Sequence, residues 1–190
     1  FELGSDVPKF NGMDSSKISQ YLKELSNYFG EIINLGIKSG GYMVIIKRCF
    51  PDKISGNHKL ITNVNIGERE PLHCTGIGKL FLSDMSTPEA VDVFKSQMDK
   101  NVTVHSIKDE NRLVKELEEI RKNGYAVEDR ESADDVFCIA VPLKDYTEKI
   151  IAGISVSVPA GRITGEKVKE AAEKMIETAA VISKSMGYNR

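Results

Sequence analysis

The chain has 190 residues, a formal net charge of −2 and 41% hydrophobic residues, which suits one domain with an ordinary core. This balanced charge excludes a bulk electrostatic affinity for nucleic acid or for an anionic membrane surface. No apolar run approaches the roughly 20 residues that span a bilayer, and three cysteines at no scaffold-like spacing are typical of reduced thiols. We therefore expect a cytoplasmic protein with no membrane partner.

The first half of the chain alternates helical and extended patterns. Residues 1–14 are rich in Gly, Pro, Asp and Asn and predict a linker. Ser15 or Ser16 can then cap a helix that ends at Gly30, and apolar runs on both sides of Ser39-Gly40-Gly41 predict a hairpin. A strand is predicted at Leu60–Ile66, followed by a loop at Gly67–Pro71 and a short helix at Leu80–Asp84. The next helix begins at Thr87-Pro88-Glu89, with Thr87 as its cap. A weak extended segment is predicted at Val102–Ile107.

The second half predicts a strand hairpin between two helices. Its elements are a helix capped by Asp109, strands at Tyr125–Asp129, Val136–Leu143 and Ile150–Val158, and a last helix capped by Thr164. The first of these helices is amphipathic, with Leu113, Leu117 and Ile120 on its inner face. Six strands with helices before, between and after them predict one α/β (α+β) domain with a mainly antiparallel sheet.

Two serines in the last predicted strand indicate a polar pocket. Ser155 and Ser157 are two residues apart, so in a strand they point to the same face. A buried sheet gains nothing from two hydroxyls on one face unless something polar lies there.

A glycine-rich segment, Thr75-Gly76-Ile77-Gly78-Lys79, opens a predicted helix. Unpaired amides and the positive end of a helix dipole favour a carboxylate or phosphate there. Tight packing is the alternative explanation of the glycines. Lys79 either adds positive charge to such a site or is a solvated surface lysine.

Other chemistry-bearing residues allow several interpretations. Glu128 is either an exposed carboxylate or an acceptor for a ligand hydroxyl, and Cys138 is either a small buried hydrophobe or a nucleophile paired with His73. With Cys74, these residues are the ligand types of a zinc site, but their spacing matches no common zinc motif. We therefore predict neither a metal nor a cofactor.

Several separated blocks of the sequence resemble the effector-binding domain of IclR-family transcriptional regulators. The blocks are Pro71 to Lys79, then Leu117, Ile120-Arg121 and Gly124 to Val127, then Cys138-Ile139-Ala140, then Ser155-Val156-Ser157 with Pro159, Arg162 and Thr164. They occur in order, at family-like spacing, over almost the whole chain. The resemblance implies a GAF-like domain with a roughly six-stranded, mainly antiparallel curved sheet, flanking helices and a ligand pocket. It implies a sensor that controls transcription, not an enzyme.

The resemblance also assigns pocket residues. The effector-binding set is Gly76 and Ile77 in the ligand-amide loop, Glu128 as the acid, Cys138, the paired serines Ser155 and Ser157, and Val136 in the apolar wall. Two positions depart from the family pattern, since Glu128 stands where aspartate is more usual and Ile77 where a smaller residue is common. Both departures narrow the expected pocket.

The domain organisation implied by the resemblance is a linker remnant at 1–14 and an effector-binding domain at 15–190. The family's winged helix-turn-helix domain is expected to be missing from this chain, so operator DNA would be bound only through that domain. The expected partners are a small carboxylate effector and copies of the chain in a dimer or tetramer. Two alternatives stay open: a thiol-dependent reductase on a GAF-like scaffold that uses Cys138 with Cys49 or Cys74, and a ligand-free dimerisation module.

Overall fold

An antiparallel sheet with helices on both faces forms the framework of the protein, in a computed structural model that describes residues 15–53, 65–100 and 102–189. Within these ranges the strands are β1 (Ile32–Ser39), β2 (Tyr42–Cys49), β3 (Arg69–Glu70), β4 (Ala126–Asp129), β5 (Val136–Lys144) and β6 (Ile150–Pro159). The helices are α1 (Ser15–Phe29), α2 (Gly76–Ser83), α3 (Thr87–Gln97), α4 (Glu110–Asn123) and α5 (Glu166–Ser185), with short 3₁₀ turns at Leu72–Cys74 and Met98–Lys100. The strand order is β3-β2-β1-β6-β5-β4, which confirms the predicted mixed fold with a mainly antiparallel sheet.

The two faces of the sheet have different chemistry, as the alternation along β6 shows. Ile154 and Val156 point into the larger apolar cluster, where α1 and α5 cover the sheet. Gly153, Ser155 and Ser157 point to the opposite face, which α2, α3 and α4 cover with a second apolar cluster. The second face is therefore the one that carries polar groups into the interior.

The sheet is curled, so its two edges approach each other. β3 and β4 are the opposite edge strands, yet Glu70 of β3 and Glu128 of β4 line one cavity. Register shifts at Leu35/Gly36 and at Leu143/Lys144 add local twist, as β-bulges do. The curl turns the polar face into a concave surface.

Helix α2 begins earlier than the predicted helix at Leu80–Asp84. Thr75 is its N-cap, and Thr75 Oγ1 accepts a hydrogen bond from the Gly78 amide at 3.0 Å. A Cβ added at Gly78 would lie 2.2 Å from the carbonyl oxygen of Leu72. The glycine is thus needed for close packing inside the first turn, although glycine disfavours a helix interior.

The same helix rests on a pair of glycines in the sheet. Gly36 of β1 and Gly153 of β6 are cross-strand partners. A Cβ at Gly36 would lie 3.1 Å from Ile77 Cδ1, and one at Gly153 would lie 2.9 Å from Ile77 Cγ2. The side chain of Ile77 therefore fills the space that two missing Cβ atoms leave.

Other element boundaries differ from the prediction. The predicted loop Gly67–Pro71 contains β3, because Arg69 and Glu70 pair with the edge of β2. Residues 60–64 of the predicted strand Leu60–Ile66 lie outside the described residues, and Asn65 and Ile66 are not in a strand.

Two helix caps lie one residue from their predicted positions. Ser86, not Thr87, caps α3 and forms a capping box with Glu89, since its hydroxyl and amide meet the Glu89 carboxylate. Gly165, not Thr164, precedes α5 with φ of 59°, a conformation that a residue with a Cβ rarely adopts. The prediction for α4 is confirmed, since Asp109 accepts from the Arg112 amide at 2.9 Å.

The predicted extended segment Val102–Ile107 is an irregular turn. Side-chain hydroxyls form hydrogen bonds with backbone amides that would pair with a neighbouring strand in a sheet. Ser106 Oγ accepts from the Thr103 amide at 3.0 Å, and Thr103 Oγ1 accepts from the His105 amide at 3.1 Å. Such local bonds compete with a sheet ladder.

Among the helices that the structure describes, none has the length and apolar character needed to cross a membrane.

Candidate ligand-binding cavity

A cavity of about 360 Å³ lies between the concave face of the sheet and the first turn of α2. Its described lining residues are Asn34, Met43, Ile45, Glu70, Thr75, Gly76, Ile77, Val102, Glu128, Ser132, Ala133, Asp135, Val136, Cys138, Ser155 and Ser157. All seven residues predicted to bind an effector are in this set. The structure therefore brings them together.

Asn34 joins the polar groups on the floor of the cavity. Its Nδ2 donates to Ser157 Oγ at 2.9 Å and to Ser155 Oγ at 3.4 Å, and its Oδ1 accepts from Arg48 Nε at 2.9 Å. Ser157 Oγ also lies 3.2 Å from Cys138 Sγ. Because Asn34 donates to both serines, their own hydroxyl protons can be donated to a ligand oxygen.

The start of α2 supplies backbone donors to the opposite side of the cavity. Gly76 and Ile77 are its first two helical residues, so their amides have no partner within the helix. Thr75 satisfies the Gly78 amide instead. Two amides at the positive end of a helix suit a carboxylate.

Glu128 is a buried carboxyl group, with 2% of its surface exposed. Its Oε1 accepts from the amide of Ser132 at 3.0 Å and from the hydroxyl of Ser132 at 2.6 Å. Burial raises the pKa of Glu128, and the bonds from Ser132 offset only part of that rise. The interpretation of Glu128 as an exposed carboxylate is therefore wrong.

Sequence reasoning missed Glu70, a second carboxyl group of the cavity. Burial, followed by the charges of Glu128 and Glu68, raises the pKa of Glu70 to about 7, against a smaller lowering effect of Arg48. No periodicity could have identified it, because Glu70 reaches the cavity only through the curl of the sheet.

Asn34 was also missed, but a signal for it exists. It is the one polar residue in the run Ile32-Ile33-Asn34-Leu35-Gly36-Ile37, and it is 3% exposed. A polar side chain inside a buried strand needs a polar partner. The reasoning applied to Ser155 and Ser157 would have found it.

Lys79 has a structural role outside the cavity lining. It is fully buried, and its Nζ lies 2.8 Å from Glu131 and 2.8 Å from Glu116. Burial opposes the charge of Lys79, but the two carboxylates outweigh burial and the pKa of Lys79 is raised. It is therefore not a solvated surface lysine, and its ammonium group binds two carboxylates instead of an anion in the cavity.

The thiols lack the environment of reactive cysteines. Burial and the charge of Glu128 raise the pKa of Cys138 well above its ordinary value, and burial raises that of Cys74 to about 11. Thiolate chemistry needs the opposite shift. The rings of His73 and Phe94 pack edge-to-face, with their centroids 5.1 Å apart. In the described ranges, no group of three or more His, Cys, Asp or Glu residues is placed to hold a metal ion.

Comparison with known sequences identifies related proteins. A family model described as "Bacterial transcriptional regulator IclR C-terminal" matches residues 15–184. The HTH-type transcriptional regulator KdgR of Dickeya chrysanthemi is 32% identical over 189 residues, which cover 100% of this chain and 60% of KdgR. This chain therefore spans less than two thirds of the length of that relative.

Comparison with solved structures shows the same architecture. The Thermotoga maritima IclR structure superposes with a TM-score of 0.81 at 29% identity, covering 91% of this chain and 68% of that one. A double mutant of the PobR inducer-binding domain from Acinetobacter, in complex with 3-hydroxybenzoic acid, superposes with a TM-score of 0.78 and covers 90% of this chain and 98% of that one. At 19% identity, PobR supports the likeness of fold alone.

Proposed function

Because this chain belongs to the IclR family of bacterial transcriptional regulators, we propose that it binds a small organic acid in the cavity. Binding then changes how a longer regulator, assembled from two or four copies, holds operator DNA. The relatives that it matches are transcriptional regulators and not enzymes. The observation that carries the proposal is the cavity of about 360 Å³, a size that suits a small molecule.

The cavity offers a separate partner for each part of such a ligand. The ligand carboxylate lies on the amides of Gly76 and Ile77 at the start of α2. Further ligand oxygens lie within reach of Ser155 and Ser157, whose orientation Asn34 fixes. The carbon skeleton packs on the apolar wall, which includes Met43, Ile45 and Val136.

A protein of the same fold gives a chemical precedent. The PobR domain is in complex with 3-hydroxybenzoic acid, which has a carboxylate and a hydroxyl on an apolar body. An acid of this general kind matches the amides, hydroxyls and apolar wall of the present cavity.

A paired substitution of the two serines tests the proposal. Screening small organic acids by thermal shift identifies a ligand, because binding to the folded state raises the melting temperature. Replacing Ser155 and Ser157 together by Ala should then weaken binding about ten- to a hundredfold, the effect of losing a hydrogen bond to a charged or polar ligand group.

The matched control is Ser96→Ala on α3, whose hydroxyl is exposed and bonds only to its own helix at the Val93 carbonyl in the contacts that the structure describes. It should leave the affinity unchanged. If the double variant binds the acid as tightly as the parent, the ligand lies elsewhere and the proposed site is wrong.

A further inference from the structure

The cavity proposed to hold an acid is itself lined by carboxyl groups. Glu70, Glu128 and Asp135 all line it, and none of its described lining residues is a lysine, arginine or histidine. A fully ionised cavity of this kind would repel a bound carboxylate, since like charges in a low dielectric interact strongly. Something must reduce this negative charge when an acid binds.

Two cations lie near the cavity, and both form contacts with other groups. The ammonium of Lys79 contacts Glu116 and Glu131. The guanidinium of Arg48 donates to Asn34 Oδ1 at 2.9 Å. Neither of these cations belongs to the lining, so they compensate the carboxyl groups of the cavity incompletely.

The curl of the sheet brings two of these acidic residues into one cavity. Glu70 comes from the β3 edge and Glu128 from the β4 edge, so four strands separate them within the sheet while both line the same cavity. Two carboxyl groups that share a site do not ionise independently. The pair is therefore placed to accept a proton from solvent.

We propose that the cavity takes up its acid together with one proton, which is transferred from solvent to the Glu70–Glu128 pair. This inference rests on the proposed function, and it adds the protonation change that accompanies binding. The ligand carboxylate remains ionised on the amides of Gly76 and Ile77, and the protonated carboxyl group gains an O–H donor for a ligand oxygen.

The charges around each carboxyl group favour Glu70 as the one that titrates near neutral pH. Burial and the charges of Glu128 and Glu68 raise the pKa of Glu70 to about 7, while Arg48 lowers it less. A bound carboxylate adds one more negative charge, so it raises this pKa further.

Around Glu128, burial raises the pKa, while the hydrogen bonds from Ser132 and Cys138 and the charge of Lys79 lower it. Cys138 stays neutral at neutral pH, because burial raises its own pKa. Asp135, in the loop before β5, adds a further carboxyl group to the lining. Of the cations in the described ranges that act on the pair, Lys79 is bound to Glu116 and Glu131, and Arg48 offsets only part of the rise in the pKa of Glu70.

Proton uptake can be counted on the unmodified chain with defined probes. The probes are glycolate, benzoate and gluconate, three acids of different size, and sorbitol is the neutral counterpart of gluconate. Calorimetry in two buffers of different ionisation enthalpy should give an uptake approaching one proton per bound acid above neutral pH. By linkage, the affinity for the acid should stay flat below about pH 6 and fall about fivefold between about pH 7 and about pH 8. Above about pH 8 the fall should approach about tenfold per pH unit.

Glu70→Gln should bind the same acid without proton uptake and without the pH slope, because Gln carries no ionisable proton. Glu118→Gln, on the exposed face of α4, makes the same chemical change outside the cavity and should keep the parent slope. The two results separate a local effect from a general change of net charge.

Acids that bind with equal affinity at about pH 6 and about pH 8, with no proton uptake, would overturn the coupling and leave the proposed function intact. If no organic acid binds at either pH, the proposed function fails and the coupling fails with it. The proton count on the parent chain decides the question even where a variant does not fold.

Discussion

At the scale of single residues, Glu70 is a group whose charge depends on tertiary structure. The pKa of Glu70 is raised from 4.5 to about 7, so the folded protein holds a proton there that the unfolded chain releases. The stability that this proton contributes is complete below about pH 4.5 and is lost as the pH rises through about 7.

Glu70→Gln should therefore lose less stability than the parent between about pH 5 and about pH 8, because Gln cannot ionise. At about pH 8 the variant should be more stable by about 2 kcal/mol, a value reduced for partial solvent screening. Urea denaturation at the two pH values measures the difference. If the variant and the parent have equal stability at both pH values, the pKa of Glu70 is not raised in the folded protein.

At the scale of elements, the buried ion pair of Lys79 connects α2 to the segment that precedes β5. Glu131 of that segment contacts Lys79 Nζ through both carboxylate oxygens, at 2.8 and 3.0 Å. The next residue, Ser132, donates to Glu128. One ion pair thus fixes the position of a cavity wall relative to the helix that carries the amides.

Lys79→Met should destabilise the fold by about 3–5 kcal/mol, because it leaves the carboxylate of Glu131 buried without its partner. Adding Glu131→Gln should recover part of the loss by removing that charge. The matched control is Lys95→Met, whose pair with Glu110 is exposed and should contribute only about 0–1 kcal/mol. Urea denaturation measures all three, and equal losses for Lys79→Met and Lys95→Met would contradict the role of burial.

The elements also show what the sequence could and could not predict. Ser155 and Ser157 were found because the two-residue period of a strand is a local rule. The start of α2 was missed because Gly78 favours a loop by propensity, and only its contact with Leu72 makes glycine necessary inside a helix. Glu70 was missed because its role depends on the meeting of two distant sheet edges, which no local pattern encodes.

At the scale of the whole molecule, charge sets a limit on interactions with nucleic acid. The net charge is −2, and sequence-independent DNA affinity comes mainly from Lys and Arg contacts to phosphates. The matched family model is that of a C-terminal domain, so no recognition helix is expected within residues 15–184.

We therefore expect this chain alone to show no sequence-specific binding to DNA at physiological salt. An electrophoretic mobility shift or fluorescence anisotropy titration with duplex DNA measures it. Weak binding that disappears as salt rises would be the nonspecific electrostatic effect. A complex that persists at physiological salt and prefers one sequence would contradict the expectation.

The glycine pair beneath Ile77 bears on how effector specificity could be redesigned. Since the Ile77 side chain occupies the space above Gly36 and Gly153, trimming it would open a void over bare backbone as well as room for a larger effector. Replacing Gly36 or Gly153 by alanine would fill that void and keep the present distance between α2 and the sheet. The same holds for Met43, whose Sδ would lie 3.2 Å from a Cβ at Gly36. An engineer who wants to admit a bulkier acid should therefore begin with Val136 and leave Ile77 and Met43 unchanged.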